Sequence, residues 1–104
     1  MTPKPELTRW GIIVGLLIVF VGILDVGTTM LVLSHGGYEL NPIVLWLMGF
    51  FGALWPIPKM LFHIVSGIIA AYFSKLKKIK IFSILIVIFF TLIALNNILV
   101  LFSF

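Results

Sequence analysis

"WPIPK", residues 55–59, interrupts the middle of a chain that is otherwise almost continuously apolar. The stretch around it, Pro42 to Phe73, would measure roughly 48 Å as one helix at about 1.5 Å per residue. The hydrocarbon layer of a bilayer is only about 30 Å thick. Pro56 and Pro58 remove two backbone donors and disfavour helix at the residues before them. Two shapes fit. One is a single long helix, kinked and protruding; the other is a re-entrant half-helix over about 42–54 followed by a full span over about 58–73. The choice between them decides the fold.

The rest of the chain puts this stretch in a membrane. Of 104 residues, 62% are hydrophobic and 10% charged. A soluble domain of this size buries only about 60–70% of its surface, too little to hide so much apolar side chain. Apolar runs over about 10–33 and 81–104 are each long enough for a spanning helix. The first is also too long for the core of a cleaved signal peptide. The expectation is an all-α integral membrane protein, one domain over 1–104, with three transmembrane helices and a half-helix broken at Pro56/Pro58. With no cysteine in the sequence, disulfides and thiolate chemistry are out of reach.

Charge orients the spans. Lys4 and Arg9 precede the first, and Lys75, Lys77, Lys78 and Lys80 precede the last. Both clusters therefore belong on one side, which the positive-inside rule makes cytoplasmic. The N-terminus and the 74–80 loop then face the cytoplasm, and the 34–41 loop and C-terminus face out of the cell membrane. A third shape, with both halves of 42–73 spanning, would separate the clusters and is excluded. The net charge of +4 comes largely from the lysine run. It reads as this orientation signal, with the lipid bilayer as partner and no nucleic acid.

The few polar residues choose the re-entrant shape. An ionisable side chain within a bilayer costs at least about 2.5–3.5 kcal/mol and marks a functional site by default. Asp25 falls roughly 12 Å below the outer end of the first span, on a face with Gly22, Thr28 and Thr29. Asn96 and Asn97 reach the same layer on the last span. Lys59, Phe62, His63, Ser66, Gly67 and Ala70 form one stripe at i, i+3, i+4, i+7 spacing. In the re-entrant shape Lys59 lies near the outer rim and His63 roughly 8 Å deeper, close to Asp25. In the single-helix shape Lys59 would lie about 25 Å below Pro42, scattering the polar groups so that each carries its own burial cost.

Each of these residues also has a bland reading. Asp25 and Lys59 could form a purely structural pair, the asparagines interhelical glue, and His63 a neutral ring bonded to Ser66 or a carbonyl. The threonines can bond their own i−4 carbonyls. Trp46 and Trp55 read as interfacial anchors. Gly11-x-x-x-Gly15 is a small-residue association motif, weak evidence for a dimer because it is frequent in apolar helices.

The segment "SHGGYELNPIVLW", residues 34–46, links the first span to the rest. Gly36-Gly37 permits a tight turn, Asn41 fits an N-cap and Pro42 a first helical position. Glu39 is left at the rim above Asp25 and His63. The pattern Asp25-x-x-Thr28, Gly36-Gly37, Glu39-x-Asn41-Pro42, Lys59 resembles a family of small three-span membrane proteins of archaea and bacteria. The resemblance covers roughly the first 60 residues, and the last span has no signature. It implies that Asp25, Glu39, Asn41 and Lys59 work as one constellation, and it implies no reaction. A single membrane-embedded acid on the first helix is also found in small multidrug transporters, an analogy only, since those have four helices.

Three functions are compatible. In the first, Asp25 is an exchangeable carboxylate for a cation or proton, with Thr28, Thr29, Asn96 and Asn97 as oxygen ligands suited to hard cations. Lys59 competes with the ion for Asp25, His63 lies within the same site, and Glu39 with Asn41 forms its mouth. Three spans do not enclose a pathway alone, so this reading expects a homo-oligomer. In the second, the protein is a structural or accessory subunit. In the third, Asp25, Glu39, His63 and His35 hold a metal cation for a membrane enzyme, although Gly36-Gly37 breaks the helical spacing of His35-x-x-x-Glu39.

Overall fold

The computed structural model describes residues 4–39 and 41–104. Its elements are helices α1 (Arg9–Ser34), α2 (Pro42–Phe51), α3 (Pro56–Phe73) and α4 (Lys77–Leu101), with a 3₁₀ turn, Gly52–Leu54, between α2 and α3. Helices α1, α3 and α4 are long and apolar enough to cross a membrane, as expected of a multi-pass membrane protein. At ten residues, α2 is about 15 Å long and too short to do so.

Helix α1 is central. It packs along both α3 and α4, which meet each other far less. Its start is fixed by Thr8, whose hydroxyl accepts from the Gly11 amide at 2.9 Å. Gly11, Gly15 and Gly22 let α3 come close. A Cβ on Gly15 would collide with the Gly67 carbonyl, and one on Gly22 with the His63 ring. These contacts run Gly11 to Ala70, Gly15 to Gly67 and Gly22 to His63, so α1 and α3 are antiparallel. The small residues that read as an association motif are thus consumed inside the chain. Helix α4 runs parallel to α1, with Lys80 over the Trp10 ring at one end and Asn97 beside Thr28 at the other.

The core has two parts. Val14, Ile18, Val21, Ala70, Ile86 and Phe90 fill the space between α1, α3 and α4. Val26, Val44, Leu47 and Trp55 pack α2 against the other half of α1. Most other large apolar side chains, such as Leu16, Phe20 and Ile23, are exposed, as lipid-facing positions require.

The structure corrects three expectations. The break in the middle stretch is made by Gly52, which leaves helical geometry at φ 59° and ψ −132°. That left-handed φ suits glycine, which carries no Cβ. Pro56 and Pro58 instead lie in the first turn of α3, where the missing N–H groups would have no helical partner anyway. The last helix starts four residues early, at Lys77, because the link from α3 needs only Ser74–Leu76. Ser74 is buried there, bonded to Thr8 at 2.5 Å. Trp55 is a core residue, buried against Val26, Val44 and Leu47, whereas Trp46 is exposed.

Candidate functional site

The site assembles from facing stripes. Ile18, Gly22, Asp25, Thr28 and Thr29 are all buried on α1, and Lys59, His63, Gly67 and Ala70 are buried on α3. Antiparallel packing through the glycines sets the register, and that register puts Asp25 opposite Lys59. The Lys59 Nζ lies 2.8 Å from Asp25 Oδ2, with both side chains about 95% buried (5% and 4% exposed). A buried pair of this kind spends much of its attraction on desolvation, so it fixes register more than it adds stability.

The pair belongs to a longer series. Lys59 Nζ donates to His63 Nε2 at 2.7 Å, and His63 Nδ1 is 3.1 Å from the Ile18 carbonyl oxygen. The ammonium has only donors, so Nε2 is the acceptor; the proton then sits on Nδ1 and is donated to Ile18. That assigns His63 as a neutral ring. On the other side, Thr29 Oγ1 donates to Asp25 Oδ1 at 3.4 Å. The amide of Asn97 donates to both Thr28 and Thr29, at 3.0 and 3.1 Å. Thr28 also bonds back to the Leu24 carbonyl at 2.7 Å, the local bond expected of a helical threonine. Among the described residues no buried side-chain polar atom lacks a partner.

Two groups of this site are not evident from the sequence. The ring of Phe90 lies 3.9 Å from Lys59 Nζ and presents a second contact, 4.5 Å between centroids, to His63. The ammonium therefore meets a carboxylate, an imidazole and an aromatic face, one for each of its hydrogens. Phe90 is one of ten phenylalanines; its only sequence signal is its position two turns before Asn97, on the same face of α4. The other group is the Ile18 carbonyl, reached because Gly22 has no side chain to keep the His63 ring away.

The remaining candidates lie around a cavity. Asn41 caps α2 by accepting from the Ile43 amide at 3.0 Å, and Glu39 accepts from the Asn41 amide at 2.8 Å. Glu39, Asn41, Asn96 and Asn97 line a cavity of about 280 Å³ beside α4. Asn41 also borders a second cavity, with Lys59, Phe62 and Phe90. Glu39 and Asn41 thus stand next to the buried series without bonding to Asp25, Lys59 or His63.

The metal constellation is not formed. Among the described residues no three His, Asp or Glu side chains gather as ligands. Three of the four members are engaged elsewhere, Asp25 and His63 by the Lys59 ammonium and His35 by the Leu31 carbonyl at 2.8 Å and the Phe104 ring, while Glu39 stands apart from them, accepting from the Asn41 amide. His35 is exposed near the end of α1. A cation next to Asp25 would have to displace an ammonium already there.

One family model, described as Domain of unknown function (DUF5658), matches residues 16–103 and so includes the last span, where no signature was expected. No curated protein and no solved structure matches the chain.

Proposed function

Since the chain belongs to the DUF5658 family, a domain of unknown function, its activity has to be sought in the site, and we propose that it binds and exchanges protons. The observation that carries this reading is the series Thr29, Asp25, Lys59, His63 and the Ile18 carbonyl, joined by hydrogen bonds. Along α1 the series covers twelve residues, about 16 Å, or half the hydrocarbon thickness. Asp25 and His63 each contact the same ammonium. A proton taken up by Asp25 from the Asn97 side leaves Lys59 free to pass one of its own to His63 Nε2. The net result is one added positive charge on the triad, with little movement of heavy atoms. A metal ion has no such route, because Lys59 occupies its place.

The path is one-sided. Below His63, α1 and α3 close backbone to backbone at Gly15 and Gly67, and among the described residues no side-chain hydrogen bond carries the series past the Ile18 carbonyl. Transfer across the membrane therefore calls for a homo-oligomer or a separation of α1 from α3. In this reading α2 is a re-entrant half-helix on the outer side, and Asp25, Glu39, Asn41 and Lys59 are the constellation shared with prokaryotic relatives. The lysine run faces the cytoplasm of a cell-membrane protein. Single cysteines replacing Tyr38 and Lys78, each in this cysteine-free chain, test that topology. An impermeant maleimide added to whole cells should label the first and not the second.

The function itself is tested in liposomes carrying a pH-sensitive dye. The wild type should collapse an imposed pH gradient faster than Asp25→Asn/Lys59→Met, a double variant that retains neither charge. Equal rates from two folded proteins would refute proton exchange. They would favour the second reading, a structural subunit, whose support is the complete pairing of buried polar atoms among the described residues.

A further inference from the structure

We infer that the groove between α3 and α4 is a binding site for a phospholipid with a primary ammonium headgroup. Three cavities meet at Phe89. The polar one carries Glu39, Asn41, Asn96 and Asn97; the second lies against Lys59, Phe62 and Phe90; the third, about 500 Å³, runs between Phe62 on α3 and Phe82, Leu85 and Leu92 on α4. On α4 the lining residues Phe82, Leu85, Phe89, Ile93 and Asn96 recur at helical spacing, so they form a single stripe. From Phe82 to Asn97 that stripe is about 22 Å long, more than half of a hydrocarbon layer about 30 Å thick. A lipid tail of one leaflet fits along it.

The polar end selects the headgroup. Glu39 is half-buried, and among the described residues no cationic side chain pairs with it. Both amide hydrogens of Asn97 go to Thr28 and Thr29, so what remains to it is its carbonyl, an acceptor. A carboxylate and a carbonyl call for a donor with several hydrogens and a positive charge, which a primary ammonium supplies and a quaternary one does not. Asn41 has used its carbonyl on Ile43; its amide hydrogens, and those of Asn96, suit the adjoining phosphate.

Native mass spectrometry of the detergent-purified protein, after incubation with mixed vesicles of phosphatidylethanolamine, phosphatidylcholine and phosphatidylglycerol, tests this. The expected result is retention of phosphatidylethanolamine with about tenfold preference over the other two, the size of one charge-assisted hydrogen bond. Glu39→Gln should erase the preference while lipid of any kind still binds. Leu85→Trp, which fills the apolar groove, should remove retention of all three. Equal retention of the three headgroups by the wild type would overturn the proposal. So would a preference that survives Glu39→Gln, or a dimer that carries no lipid.

Discussion

Asp25→Asn should destabilise the protein by about 3–5 kcal/mol, measured as unfolding in detergent or bicelles, because it strands the Lys59 ammonium in the interior. The pair is nearly inaccessible on both sides, so water cannot take over the lost role. His63 can still accept from the ammonium and Phe90 still faces it, but neither carries a full negative charge. Lys59→Met should cost a similar amount, with the charge left on Asp25. The double variant Asp25→Asn/Lys59→Met should recover most of the loss, since removing both charges also removes the need to desolvate them. The coupling energy of that cycle then reports the pair directly. Additive losses would show that the two charges do not interact.

Gly22→Ala should cost about 1–3 kcal/mol, the range for forcing atoms into a packed interior. The added methyl would meet the His63 ring, which has nowhere to retreat: Phe90 lies on one side and the Ile18 carbonyl holds Nδ1 on the other. The ring must move, and with it Lys59, so the same variant should also slow any proton exchange. Gly27→Ala is the matched control. It lies on the same helix, but a Cβ there meets nothing within 4 Å, and its effect should be neutral to stabilising by up to about 1 kcal/mol, since alanine is the better helix former. Equal effects at the two positions would mean that the His63 contact does not decide, because helix propensity alone predicts a gain for alanine at both.

How far the sequence could be read differs from residue to residue, for physical reasons. Asp25, Lys59 and His63 could be brought together on paper because charges in a bilayer are too costly to leave apart and helical spacing limits where they go. The extra start of α4 was hidden because lysines at the membrane boundary suit a loop and a helix end equally. Gly52 carries no distinctive signal beside two prolines, although its left-handed φ ends α2 and the prolines only begin α3. Phe90 had no chance of being singled out, since a cation–aromatic contact depends on how two helices face each other. The expected metal ligands failed for the opposite reason. His35 and His63 are the right residue types, but one is held at the end of α1 and the other is held by an ammonium.

The central claim is that Lys59 closes on Asp25 in the interior and thereby ties α1 to α3. Solid-state NMR of the uniformly ¹³C,¹⁵N-labelled protein in lipid bilayers tests it most directly, through the dipolar contact between the Asp25 carboxylate carbon and the Lys59 Nζ. An ion pair with Nζ and Oδ2 2.8 Å apart predicts a strong, short-range correlation that disappears in Lys59→Met. No such correlation in a folded wild-type sample would contradict the account.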